Sequence, residues 1–267
     1  LGVVGMAKHM VEEGMIVVGL DVRTYRTAIN APNNECRYYA ADFEELSHAV
    51  QRRLKLDEYH LPVLAGYSSG ATLAYAVMVQ SPPGTWAGVL SLGFCPDLDL
   101  VRKPCRGSGL EYTMQGTEAK PKGLVYRTAP SNRTRWIVMQ GEVDKVCDPA
   151  ATREFVAATG HGEFVSLPKV GHGFGVERNW LPQFQQAQLA LAAREVRASV
   201  GAAAVVGLRE EQGDAAARLV DHHGQVFAVA LVREVQAQVE GLPVARVEDV
   251  VAEEVVRLRL AVRVVDG

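Results

Sequence analysis

Ser68, Asp144 and His172 have the side-chain types, and follow one another in the order, that nucleophilic catalysis on a parallel sheet requires. Ser68 is the middle residue of Gly66-Tyr67-Ser68-Ser69-Gly70, a G-x-S-x-G lying between an apolar run and an alanine-rich one. Glycines on either side suit a turn sharp enough to hold a serine in strained backbone angles with its hydroxyl raised above a sheet. A hydroxyl is a weak nucleophile at neutral pH, so it needs a base within reach and an acid that orients the base. His172, in Gly171-His172-Gly173, is the candidate base, and its flanking glycines are expected to let the imidazole approach the serine without backbone clash. Asp144, just past the apolar run WIVMQ, is the favoured acid. Asp148 competes but has a plain role as helix N-cap, and Glu142 is a weaker competitor. Ser69 is expected to lend its backbone N–H to an oxyanion hole at the positive end of the following helix.

The remaining histidines read as structural. His9, His48 and His60 sit in or beside amphipathic segments, His161 lies in a glycine-flanked turn, and His222 and His223 fall in the C-terminal tail. Cys36, Cys95, Cys105 and Cys147 show no C-x-x-C spacing, so neither a structural zinc site nor any other metal or cofactor is expected.

Elements that could bring the three residues together alternate along the chain. Helical spacing of Val4, Met6, Met10 and Val11 precedes Gly14, and the run at 15–21 reads as a strand buried on both faces, followed by a polar turn. An amphipathic helix spans 40–56. A strand at 61–70 runs into the serine turn and a helix that stops before Pro82 and Pro83. Strands follow at 86–94 and 135–144, with a Pro- and Gly-rich stretch at 96–134 that could cover Ser68 as a lid. A helix at 149–160, a strand and loop at 163–175 and a helix at 179–199 close the pattern. Strands alternating with helices predict an α/β fold, a mostly parallel sheet covered on both faces.

Composition excludes several classes of function. Charges of 28 basic and 31 acidic side chains nearly cancel, leaving no electrostatic footprint for nucleic acid. No apolar run reaches the roughly 18 residues that span a bilayer. The average nevertheless hides a break near residue 200, which divides the chain into 1–199 and a compositionally distinct tail at 200–267. Residues 201–267 use eleven amino-acid types, and Ser, Thr, Asn, Lys, Ile, Met, Cys, Tyr and Trp are missing. All of those used except Phe have a codon beginning with G or C. The tail is therefore either the product of a shifted or opposite reading frame in a GC-rich gene, or an unrelated Ala/Val/Arg-rich segment.

GYSSGATLAYA, LSLGFCPDLDL, MQGEVDKVCDP and LPKVGHGFGVERNWLPQF together resemble the bacterial virulence protein family VirJ/AcvB, over about residues 1–195. Similarity is greatest to the first domain of the two-domain AcvB-type members, which continue into a second domain with its own G-Y-S-F-G. The resemblance implies an α/β-hydrolase fold, a periplasmic location and a link to virulence and type IV secretion. It also implies ester hydrolysis of an aminoacylated phospholipid, an activity assigned mainly to the other domain. The alternative is a hydrolase-fold domain that binds secretion-system proteins without catalysis. Measured against that fold, the first strands and the loop giving a second oxyanion N–H would lie upstream of Leu1, as would any signal peptide. Loss of one such donor costs about 2.7–4 kcal/mol of transition-state stabilisation. In an oxidising periplasm Cys95 and Cys105, around a Pro-Asp loop, are close enough to form a bridge, with Cys147 as an alternative partner and four reduced thiols as the competing reading.

Overall fold

Apolar runs with no polar alternation fold as strands buried on both faces, because each face must meet a helix layer. The computed structural model describes residues 3–13, 15–30, 36–117, 119–200, 226–231 and 262–264. In it, β2 (Val63–Tyr67), β3 (Gly88–Leu92), β7 (Trp136–Gly141) and β8 (Gly162–Leu167) form an all-parallel block in that order. Their side chains alternate between two cores. Leu64, Val89, Trp136 and Val138 face one, packed with α2 (Val22–Ile29), α3 (Tyr39–Arg53), α4 (Ser69–Gln80) and α5 (Pro149–Thr159). Val63, Ala65, Leu90, Leu92, Ile137 and Met139 face the other, beneath α1 (Val3–Glu12) and α6 (Leu181–Val200). The chain is thus α/β, with helices on both faces of a parallel block.

The sheet continues past β2, reaching seven strands among the described residues in the order β10-β1-β9-β2-β3-β7-β8. β1 (Ile16–Asp21) does not touch β2. Between them lies β9 (Val226–Leu231), antiparallel to both, and β10 (Val262–Val264) pairs antiparallel with the other edge of β1. The C-terminal tail thus supplies the strands that flank β1. The rest of that tail, including His222 and His223, lies outside the described residues.

Local expectations are corrected in two places. The polar turn expected after β1 is instead helix α2, which seats Tyr25 and Ile29 in the core. The segment 96–134 carries a small antiparallel sheet, order β4-β6-β5, made of β4 (Asp97–Leu98), β5 (Tyr112–Thr117) and β6 (Lys120–Tyr126). It packs along α4. Leu98, Leu110 and Leu124 enter the core against α3 and α4. The Tyr75 hydroxyl donates to the Arg127 carbonyl at 2.7 Å, and the Ser108 N–H to the Gln80 carbonyl at 3.0 Å at the far end of α4.

Cysteine pairing also departs from the expected Cys95–Cys105 bridge. Cys95 is bonded to Cys147, and Cys105 to Cys36, with Cα separations of 5.2 and 4.9 Å. Cys95 stays at the carboxyl end of β3, next to the loop after β7. The intervening residues travel along α4 and deliver Cys105 beside Arg37, whose carbonyl accepts its N–H at 2.8 Å. Proximity in sequence is overridden by the route of the chain.

Candidate active site

Three parallel strands each end in a loop that carries one member of the candidate triad. At the end of β2, Ser68 occupies a left-handed conformation, φ 55° and ψ −125°, that a β-carbon disfavours. The turn closes only because residue 66 is glycine: a Cβ there would lie 2.2 Å from the Gly70 carbonyl oxygen. Helix α4 starts at Ser69, so the first N–H groups of a buried helix point toward the serine.

Asp144 follows β7 and His172 follows β8. Ser68 Oγ lies 2.9 Å from His172 Nε2, and His172 Nδ1 lies 2.8 Å from Asp144 Oδ2. A carboxylate at Nδ1 selects the tautomer whose proton is on that nitrogen, leaving Nε2 to accept from the serine hydroxyl. Asp144 has a side chain with 0% exposure, against 17% for His172. Its Oδ1 accepts the N–H groups of Val146 and Cys147 at 2.8 and 3.0 Å, and its Oδ2 accepts from Gln140 Nε2 at 2.9 Å. Such a set of donors holds a buried carboxylate in one orientation.

Both competing acids are engaged elsewhere. Asp148 caps α5 by accepting from the Ala151 N–H at 2.8 Å, and Glu142 accepts from the Ser166 hydroxyl at 2.9 Å. Cys147 converges with Asp144 and His172, one ligand-type atom from each lying within 4.8 Å of the others. Its sulfur is bonded to Cys95, and the other two side chains are bonded to each other, so the trio is not a free ligand set.

The structure assigns close approach at the imidazole to a glycine that sequence reasoning passed over. A Cβ on Gly171 would have the Val143 carbonyl at 3.8 Å as its nearest neighbour, and one on Gly173 nothing within 4 Å, so neither is required for space. Gly93, in the loop after β3, has φ +61°, and a Cβ there would lie 3.3 Å from the His172 ring.

Two further positioning residues were missed. Tyr67 donates to the His172 carbonyl at 2.8 Å, and its ring centroid is 5.5 Å from the imidazole. Burial, and then the charge of Asp144, push the Tyr67 hydroxyl above its ordinary value, so it stays protonated as a donor. Gln140 is fully buried and also donates to the Cys147 carbonyl at 3.0 Å, which ties the ends of the acid loop together. A glutamine at the end of an otherwise apolar strand was the available signal, since a buried amide needs partners.

Other histidines take structural positions. His9 bridges α1 to Glu177 in the turn Glu177–Asn179 and bonds to Glu12 at 2.9 Å. His48 stacks on Tyr59, the His60 backbone is held by Gln51, and His161 Nδ1 faces the Thr159 carbonyl. Beneath the serine turn lies an apolar pocket lined by Met6, Met10, Leu92 and Phe184. No helix among the described residues is long and apolar enough to cross a membrane. No protein-family model matches the chain, and no curated protein matches it.

Proposed function

We propose that the chain is a serine hydrolase that cleaves esters through Ser68, His172 and Asp144. The observation that carries this reading is the continuous hydrogen-bonded chain from Ser68 Oγ through His172 to the buried Asp144. Ser68 attacks the ester carbonyl while His172 Nε2 takes its proton, and Asp144 stabilises the imidazolium without itself being protonated. The Ser69 N–H at the start of α4 faces the oxygen that becomes negative in the tetrahedral intermediate. His172 returns the proton to the departing alcohol, and water then releases the acyl group by the same steps.

The strand, strained serine and helix, with the order serine, aspartate and histidine at the ends of β2, β7 and β8, support an α/β-hydrolase fold. The resemblance to VirJ/AcvB proteins supports an aminoacylated phospholipid as the ester and a role in bacterial virulence. Two disulfides are compatible with an oxidising compartment such as the periplasm.

A fluorophosphonate probe, which serine attacks with loss of fluoride, tests the reading. Labelling of the full chain that disappears in Ser68→Ala is the expected result. Absence of labelling in the folded protein would overturn it and favour the domain that binds secretion-system proteins without catalysis.

A further inference from the structure

We infer that the Cys95–Cys147 disulfide is a redox latch that positions Asp144, so that its reduction switches the triad off. The inference rests on the hydrolase reading of the same site. Asp144 depends on the short loop after β7: the N–H groups of Val146 and Cys147 hold Oδ1, and Gln140 joins Oδ2 to the Cys147 carbonyl. Residue 147 therefore contributes both a backbone donor and a backbone acceptor to the network around the acid. Its side chain is tied to Cys95, two residues past Gly93, which faces the imidazole. The Cys95 carbonyl accepts from the Thr72 hydroxyl at 2.7 Å, in the first turn of the helix that begins after Ser68. One covalent bond thus locks the acid loop to the turn beside the base and to the helix of the nucleophile.

The two sulfurs differ in access. Cys95 is half-buried, whereas Cys147 is 3% exposed. A dithiol reductant attacks as its thiolate at Cys95 Sγ, forming a mixed disulfide and breaking the bond to Cys147, whose sulfur leaves with the electron pair and takes a proton. The second thiol of the reagent then displaces Cys95. Two electrons and two protons pass to the protein, and the reagent departs as its cyclic disulfide. The freed Cys147 thiol stands within 4.8 Å of the Asp144 carboxylate and the His172 ring, and the loop that donates to the acid is held only by hydrogen bonds. Cys36–Cys105 lies beside Arg37 and Pro104, away from the triad loops, and serves as an internal control.

The test uses the full chain with Cys36→Ala and Cys105→Ala, so that dithiothreitol acts on the latch alone. Wild type, with alkylated thiols mapped by mass, covers the case in which that variant fails to fold. Amide exchange at Val146 and Cys147 and the rate of fluorophosphonate labelling are followed before reduction, after it and after reoxidation. Expected is an increase of about tenfold or more in exchange confined to the acid loop. Labelling should fall by about tenfold or more, with an altered pH profile, and reoxidation should restore both. The latch is overturned if both thiols are reduced while exchange and labelling stay unchanged. It is equally overturned if exchange rises throughout the molecule, because the bond is then a general staple. Faster exchange confined to the loop, in a protein that is never labelled, upholds the latch and rejects the hydrolase reading. Steady labelling insensitive to reduction does the reverse.

Discussion

Strands β2, β3, β7 and β8 run parallel, with α4 and α5 as local crossovers and β3 joined to β7 through the small antiparallel sheet, whereas β1 lies between β9 and β10, antiparallel strands from the far end of the chain. In the parallel block, strand ends are also where the candidate triad sits: β2, β7 and β8 each release one of its residues at the carboxyl edge. Their apolar runs, glycine turns and following helices are consecutive in sequence, so the geometry is set largely by short-range patterns. The antiparallel region carries no triad residue. Its pairings close loops of most of the chain length, which is entropically the more demanding construction. The contrast teaches that the candidate site and the completion of the sheet are separable.

Asp144→Asn attacks the parallel block at its centre. Loss of the correct imidazole tautomer should lower the rate of fluorophosphonate labelling by about 10⁴-fold with little change in melting temperature. A small loss would mean that Asp144 supports structure instead of orienting His172. Truncation after Val200 removes β9 and β10 and leaves every triad residue in place. Unpairing β1 and one edge of β2 should cost several kcal/mol, read as a melting temperature lower by about 10 °C, while Ser68 labelling persists below the transition. Unchanged melting would show that the antiparallel strands contribute nothing to stability. Labelling lost from a still-folded truncation would break the separation between the two regions.

Smaller changes probe the seams. Tyr67→Phe removes the bond to the His172 carbonyl while keeping the ring, and should cost about 1 kcal/mol, or roughly fivefold in labelling rate. No change in rate would remove Tyr67 from the positioning network. His9 joins α1, which packs under β1, to the turn beyond His172. Burial opposes its charge, but bonds to Glu177 and Glu12 outweigh that and raise it above the ordinary 6.5. Since the folded value is the higher one, this contribution is complete below 6.5 and is lost as pH rises through the folded value. Wild type should therefore melt a few degrees above His9→Gln at mildly acidic pH, with the gap closing as the solution becomes alkaline. A gap independent of pH would assign His9 to packing alone.

Strand and helix periodicity made β2, β3, β7, α4 and α5 legible, because each is encoded by neighbours a few residues apart. Asp148 as the cap of α5 was readable for the same reason. α2 was passed over although Tyr25, Ala28 and Ile29 recur at helical spacing, because a run of only eight residues, four of them Arg or Thr, also reads as a polar turn. The segment 96–134 was equally opaque, because its Pro, Gly and charged residues read as a loop and its strands, β5 mostly exposed, present no continuous apolar run.

The sequence by itself determined the residues of the candidate triad, their order and the strand-turn-helix that presents Ser68, all of which depend on local types and spacing. Only the tertiary structure decided that Cys95 meets Cys147, that Gly93 and not Gly171 or Gly173 faces the imidazole, that Gln140 secures the acid and that tail strands flank β1. Those pairings join residues remote in sequence. They are fixed by how the layers pack and where each strand ends, information that no local pattern contains.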